Sequence, residues 1–204
     1  MKPAIPWPPL MVVSNRQMTT DLPATVAGAL DGGAKWILLR EKDMAPPARL
    51  DLAWQLKAAT DSHAALLGVN SDIAAARSIG AGNIQLPMDQ LHRNLDGSRF
   101  LLGASVHDVE EAVEAVNAGV DYLLLAPIFA TESKTLHRRP LGLAGLRAIA
   151  EVVRIPIIAL GGILPERATD CLAAGATGVA AMGAVMRAAD PAAVVHAFLK
   201  AMSR

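Results

Sequence analysis

Ile155-Pro156-Ile157-Ile158-Ala159-Leu160-Gly161-Gly162-Ile163 is a short apolar run that ends in two glycines and gives way to a helical pattern at Pro165. Gly178-Val179-Ala180-Ala181-Met182-Gly183 repeats the arrangement downstream. Glycine removes Cβ where backbone turns sharply or comes close to a ligand. Pro165 suits a first helical turn, and Glu166 adds negative charge at the positive end of the helix dipole. Two such strand ends side by side present free N–H groups at helix N-termini, an arrangement that binds anions. Taken singly, each reads as a tight strand–helix turn. Taken together, they predict a phosphate-binding pair of loops late in an α/β chain.

Working outward, the rest of the chain repeats the same unit. Leu10 to Ser14, Lys35 to Arg40, Ala65 to Val69, Asn83 to Leu86, Phe100 to Ala104 and Asp121 to Ala126 read as six earlier strands. They are nearly continuous in apolar residues, as parallel strands buried on both faces are. Helical patterns lie between them: Thr20 to Leu30, a helix after Pro46-Pro47, a short one reaching Ile79, Val109 to Ala118, and Ala144 to Val152. Ser105-Val106-His107-Asp108 has the spacing of a capping box ahead of Val109. Asp190 and Pro191 predict the N-cap and first residue of a last helix running to Met202. The stretches Asp89 to Arg99 and Thr131 to Pro140 are polar and read as loops. Gly33-Ala34, Gly80-Ala81, Gly119-Val120 and Gly175-Ala176 each close a helix just before an apolar strand. Eight strands alternating with helices, without a hairpin signal, predict a (β/α)8 TIM barrel at residues 10–204 after a proline-rich lead-in at 1–9. The competing open doubly wound sheet lacks its glycine fingerprint, since Ser14-Asn15-Arg16-Gln17 follows the first strand.

Composition narrows the function classes. The 204 residues are 52% hydrophobic, enough for a single large core, and only 3% aromatic, so that core is expected from Ala, Leu, Val and Ile. Nineteen basic and nineteen acidic residues cancel, without a block of like charge, which removes the footprint of a nucleic-acid or anionic-membrane binder. A single small anion needs only local dipoles and a cation or two. The lone Cys171 cannot form an internal disulfide and falls in a helical pattern, so a buried inert thiol and a cytoplasmic location are expected. Met1 to Pro9 holds four prolines and no apolar signal-peptide centre, and no run reaches the ~18 apolar residues of a membrane span.

In a barrel the chemistry sits at the C-terminal strand ends, with phosphate commonly bound after strands seven and eight. The polar strand ends Arg40-Glu41-Lys42, Asn70-Ser71-Asp72, Ser105 with His107, and Thr131 to Lys134 would then face one mouth. At those same places the chain resembles the thiamine-phosphate synthase and TenI family. The residues that carry the resemblance are Leu39-Arg40-Glu41-Lys42, Asn70, Gly103-Ala104-Ser105-Val106-His107, Pro127-Ile128-Phe129-Ala130-Thr131-Glu132-Ser133-Lys134, Ile157 to Ile163 and Gly175 to Ala180. The resemblance implies a reaction between a pyrimidine diphosphate and a thiazole phosphate, with magnesium and basic side chains around the leaving pyrophosphate. It implies that Arg40, Lys42 and Lys134 face the diphosphate, with Asn70 and Ser105 beside them. Thr131 and Ser133 would donate hydroxyls to phosphate oxygens, and Gly161, Gly162, Met182 and Gly183 would offer the thiazole phosphate their backbone.

The departures are equally specific. The synthase pattern has metal-binding aspartates where this chain has Ser71 and Gln90. Asp72 and Asp89 lie one position away, a step that turns a side chain to the other face of an extended strand. Magnesium prefers carboxylate oxygens, for which serine and glutamine are poor replacements. Leu38 stands where the synthase has a glutamine, and Pro127 where tautomerases of the TenI branch carry a histidine. His107 is either an acid–base group or, more commonly for such a position, a residue that holds a loop. His137, beside Arg138 and Arg139, lies in a basic loop. Three functions stay open on this evidence: a synthase, a TenI-like binder of thiazole or thiamine phosphate, and a proton-transferring tautomerase or epimerase. A homo-oligomer is compatible with each.

Overall fold

The computed structural model describes residues 2–91, 99–131 and 139–203. β1 (Leu10–Val13), β2 (Trp36–Leu39), β3 (Leu66–Asn70), β4 (Asn83–Pro87), β5 (Leu101–Val106), β6 (Tyr122–Leu125), β7 (Ile157–Leu160) and β8 (Gly178–Ala181) follow one another round a parallel sheet. β8 pairs back onto β1, with Met11 opposite Ala180, and closes the barrel. Outside it run α1 (Leu22–Asp31), α2 (Pro46–Ser62), α3 (Ile73–Ser78), α4 (Val109–Asn117), α5 (Gly142–Val152), α6 (Pro165–Ala173), α7 (Gly183–Met186) and α8 (Pro191–Met202). The architecture is the single-domain (β/α)8 barrel, and closure excludes the open sheet. No helix among the described residues is long and apolar enough to cross a membrane.

The repeated glycines are left-handed helix stops. Gly33, Gly80, Gly119 and Gly175 have φ of 99°, 61°, 80° and 102°. In each case the glycine N–H and the following N–H return to carbonyls of the last helical turn, as in Gly33 to Leu30 at 2.9 Å and Ala34 to Ala29 at 3.0 Å. This is the Schellman motif, in which the left-handed residue reverses the chain into the next strand. Ala64 occupies the same place after α2, at φ 48°, with Ala64 N–H on Asp61 and Ala65 N–H on Thr60. There the sequence has no glycine to mark the turn, and the Cβ carries the conformational cost.

Four helices are closed by aspartates: Asp21, Asp72, Asp108 and Asp190 accept from N–H groups in the first turns of α1, α3, α4 and α8. The cap of α4 corrects the sequence reading. β5 runs on to Val106, so Ser105 is a strand residue, and the capping box is Asp108 with Glu111. Glu111 reaches back to the His107 N–H at 2.8 Å, one residue short of the usual box. The buried thiol of Cys171 lies in α6, and burial pushes its pKa up to about 11, as suits an inert core cysteine.

Two apolar regions hold the fold together. The larger lies between barrel and helices and is built from the aliphatic residues expected. The smaller fills the barrel with Met11, Val13, Trp36, Leu38, Leu101, Tyr122, Leu124, Ile158 and Ala180. Trp36 and Tyr122 meet edge to face with centroids 5.0 Å apart, so two of the few aromatic side chains are spent where strands of this length need bulk. Ile5, from the segment ahead of β1, packs against the same cluster, and Lys2 pairs with Asp121 at 2.6 Å.

Ala64 and Gly80 make a matched test of the helix stops. A Cβ at Gly80 meets nothing within 4 Å, so its only cost is the left-handed backbone. Ala64→Gly is expected to raise unfolding free energy by about 1 kcal/mol and Gly80→Ala to lower it by about the same amount. Urea unfolding of both variants checks this, and equal stabilities would contradict it.

Candidate active site at the barrel mouth

The C-terminal strand ends open on a cavity of about 840 Å³. Its floor is the upper layer of the barrel filling, Val13, Leu124, Leu160 and Ala180. Arg40, Lys42, Asn70, Ser105, His107, Thr131, Gly161, Gly162, Met182 and Gly183 all line it, so residues scattered over the sequence meet at one mouth as expected. Ser133, Lys134 and His137 lie outside the described residues.

At the β2 end, alternation along the chain separates two jobs. Glu41 points away from the cavity and is buried, taking the Ser14 hydroxyl at 2.6 Å and the Arg16 N–H at 3.1 Å. Asp43 takes the Arg16 guanidinium at 2.5 Å. The local carboxylates are thus paired with Arg16, and Arg40 and Lys42 make no ion pair with a described residue. Burial holds the Arg40 guanidinium below its ordinary pKa, against the charge of Glu41. Burial, and then the charge of Arg40, lowers the Lys42 ammonium, with Asp89 opposing. A partly desolvated pair of cations with no close ion pair among the described residues suits an anion.

The β7 and β8 ends form the glycine corner. Gly161 and Gly162 have φ of 107° and 61°. A Cβ at Gly161 would come within 2.9 Å of Pro127 Cα, and one at Gly162 would overlap the Ala130 carbonyl. The glycines therefore serve close packing as well as turning: the Phe129 N–H reaches the Gly161 carbonyl at 2.9 Å and extends the β6–β7 pairing into the loop. α6 and α7, whose starts border the cavity, have no side-chain cap, unlike the four helices closed by aspartate. α2 and α5 are also uncapped, but their first turns do not reach the mouth. In α6 Pro165 has no N–H and the Arg167 N–H returns to the Leu164 carbonyl at 2.9 Å, and in α7 the Val185 and Met186 N–H groups return to Met182. The N–H groups of Glu166, Gly183 and Ala184 are thus the ones left without a backbone acceptor among the described residues.

Two cations at this corner escaped the sequence reading. Arg167 lines the cavity from the first turn of α6, donates to the Gly162 carbonyl at 3.1 Å, and stacks 4.7 Å from the Phe129 ring centroid. A positive charge at a helix N-terminus opposes the dipole, and that local misfit was the available signal. Arg187 lines the cavity from the end of α7, a four-residue helix too short to show periodicity. Glu111, also missed, borders the cavity from α4.

His107 is held in place: Nδ1 contacts the Ala126 carbonyl and its N–H meets Glu111. Leu38 belongs to the apolar barrel filling, and Pro127 lines the cavity.

The metal-binding expectation meets a poor donor set. Ser71 sits at φ 63°, and its hydroxyl accepts from Asn70 Nδ2 at 2.8 Å. Asp72 does not line the cavity: it caps α3 through the Ala75 N–H at 2.9 Å and binds Arg49 of α2 at 2.6 and 3.0 Å. Burial would raise the Asp72 pKa, but the capped N–H and Arg49 outweigh it and leave the carboxyl below its ordinary value. Gln90 does not line the cavity either, and its buried Oε1 has no partner among the described residues. Asp89, from the 3-10 turn Met88–Gln90, does line it. Among the described residues no group of three or more His, Cys, Asp or Glu could hold a metal. These residues do not fit a protein-built magnesium site.

Comparison with known proteins agrees with the geometry. The family model described as thiamine monophosphate synthase matches residues 10–185. A thiamine-phosphate synthase of Chloroflexus aurantiacus is 39% identical over 171 residues, covering 82% of this chain and 79% of the relative. One from Moorella thermoacetica is 38% identical over 183 residues, covering 88% and 87%. The solved thiamine phosphate pyrophosphorylase of Pyrococcus furiosus superposes with a TM-score of 0.84 at 31% identity, covering 95% of each chain.

The cap and ion pair made by Asp72 have a measurable consequence. Asp72→Ala should cost about 1–2 kcal/mol at pH 7 through the lost cap. Because the folded pKa is depressed, the contribution is complete above the unfolded carboxylate value of ~3.9 and fades as pH falls through the folded one. Denaturant unfolding at pH 7 and at successively lower pH should therefore show the difference from the parent chain shrinking below about pH 4. A pH-independent difference would contradict it.

Proposed function

Because the chain belongs to the thiamine monophosphate synthase family of thiamine biosynthesis, we propose that it joins a thiazole phosphate to hydroxymethylpyrimidine diphosphate, giving thiamine phosphate and pyrophosphate. The observation that carries this reading is the division of the cavity's cations between two arcs of the rim. Arg40 and Lys42 stand at β2, and Arg167 and Arg187 stand near the glycine corner of β7 and β8. A cavity built for one phosphate needs one such group; a cavity with two suits a reaction between two phosphorylated partners.

In this reading the C–O bond to the diphosphate breaks and its electron pair leaves with pyrophosphate. The thiazole nitrogen supplies the pair for the new C–N bond and becomes the charged nitrogen of the product. Arg40 and Lys42 receive the charge that develops on the leaving group, where preset cations act most strongly. An ammonium whose pKa burial has lowered, as at Lys42, is also a better proton donor to departing oxygen. The free N–H groups at the starts of α6 and α7, with Arg167 and Arg187 beside them, hold the thiazole phosphate. The apolar floor of Val13, Leu124 and Leu160 excludes water from the cation between the two steps. His107, tied to Ala126 and Glu111, shapes the mouth. The regulator and tautomerase alternatives are not favoured, since the relatives carry the synthase name and a binder of thiazole phosphate alone has no use for Arg40 and Lys42.

Incubation with both substrates in buffer containing magnesium is expected to release pyrophosphate in step with thiamine phosphate. Arg40→Ala and Lys42→Ala should each lower kcat/KM by about 100-fold or more, the scale of losing one transition-state donor. Calorimetric affinity for thiazole phosphate should stay unchanged in both. Folded protein that releases no pyrophosphate above the uncatalysed background would overturn the synthase reading in favour of a non-catalytic binder.

A further inference from the structure

Inside the barrel runs a chain of hydrogen bonds whose direction is set at its buried end. The Trp36 indole N–H, which can only donate, meets Asn83 Oδ1 at 3.1 Å. The Leu101 carbonyl, which can only accept, takes Asn83 Nδ2 at 2.7 Å. Both contacts demand the same orientation of the Asn83 amide. Its Nδ2 also donates to the Tyr122 hydroxyl at 3.0 Å. Tyr122 therefore accepts from Asn83 and sends its single proton onward, over 2.6 Å, to Gln85; the 3.3 Å contact back to Asn83 Oδ1 is the weaker choice. The Gln85 atom that faces Tyr122 must then be Oε1, which leaves Nε2 to donate to Ser105 Oγ at 3.0 Å.

The sequence makes room for this chain at a cost. A Cβ at Gly68 would overlap Asn83 Oδ1, and one at Gly103 would overlap the Tyr122 hydroxyl and Gln85 Oε1. Glycine weakens a strand interior, so its presence on β3 and β5 marks a site where space matters more than propensity. Asn83 and Gln85 are both completely buried, where a misdirected amide would leave unmet hydrogen-bonding groups. Burial also lifts the Tyr122 phenol well above its ordinary pKa, which keeps its proton in place through the neutral range.

We infer that Gln85, oriented by Tyr122, is a positioning residue that obliges Ser105 to accept from the barrel and so to direct its own hydroxyl proton into the cavity. Ser105 lines the cavity together with Asn70 and Lys42. It becomes a committed donor to an anionic oxygen, where a free serine would be as ready to accept. The identity of that anion as the diphosphate rests on the function proposed above.

The test uses inorganic pyrophosphate as probe and calorimetry on the full chain, each variant being compared with the parent at the same pH. Ser105→Ala is expected to weaken binding about 10- to 100-fold, the scale of one hydrogen bond to a charged partner. Gln85→Glu carries the sharper prediction. When protonated, the acid still accepts from Tyr122 and donates to Ser105, as the amide does. When ionised it only accepts, and Ser105 turns its proton inward. Burial raises a carboxylic acid's pKa, which brings the change into the neutral range. Binding should match the parent near about pH 6 and fall toward the Ser105→Ala level near about pH 9. In the Ser105→Ala background, Gln85→Glu should add no pH-dependent loss. A loss that persists undiminished there is bare charge repulsion and overturns the inference, as does a Gln85→Glu variant that follows the parent at every pH. Tyr122→Phe supplies a second route should Gln85→Glu not fold. It frees the Gln85 amide to turn, so it should weaken pyrophosphate binding in the parent but not in Ser105→Ala; equal effects in both overturn the inference. A parent chain that does not bind pyrophosphate overturns the diphosphate reading itself, an outcome distinct from any pattern among the variants.

Discussion

A closed ring of eight strands encloses a space that only its own inward side chains can fill, and five of these strands are four residues long. The rest of the molecule follows from how that space is divided. Trp36 and Tyr122 supply bulk to the lower part, where aliphatic side chains alone would leave voids. Their N–H and O–H groups then need partners, and Asn83 and Gln85 on β4 provide them. The upper part is left to small and aliphatic residues, above which the cavity begins. Filling below and opening above are two sides of one constraint.

Four basic side chains, Arg40, Lys42, Arg167 and Arg187, and two acidic ones, Asp89 and Glu111, line the mouth of a chain that is neutral overall. Along Arg40-Glu41-Lys42 the acidic residue turns to Ser14 and Arg16, while both basic residues face the cavity. Helix ends are sorted in the same sense. Aspartates close α1, α3, α4 and α8, and of the four helices without a side-chain cap, α2, α5, α6 and α7, it is α6 and α7 that start at the cavity edge. The proposed anion site therefore arises from local choices at the strand ends of a chain without net charge.

What could be read from the sequence was what is encoded locally. The four helix-stop glycines announced the repeating unit, and the apolar runs announced the strands, because both depend on neighbouring residues. Ala64 escaped because its left-handed turn is imposed by its surroundings. The α4 cap was misplaced for a related reason: Ser105 has the right chemistry, but β5 pairing with β6 extends to Val106 and carries the serine into the sheet. Arg167 was visible only as a charge of the wrong sign for a helix start, and Arg187 follows a helix too short to detect. Most instructive is Asp72, which stands two residues after Asn70 in sequence but is claimed by Arg49, a residue brought to it by the packing of α2. Nothing in the order of residues announces that pairing. The relay from Trp36 to Ser105 is likewise a property of the closed ring, since it joins the four strands β2, β4, β5 and β6.

In the proposed reaction one cavity holds two phosphorylated groups on separate arcs of its rim. A crystal structure grown with thiamine phosphate and pyrophosphate together tests this most directly. Pyrophosphate is expected against Arg40 and Lys42 with the Ser105 hydroxyl donating to it, and the thiamine phosphate group at Gly162 and Gly183 between Arg167 and Arg187. Both anions on one arc, or the two exchanged, would contradict it.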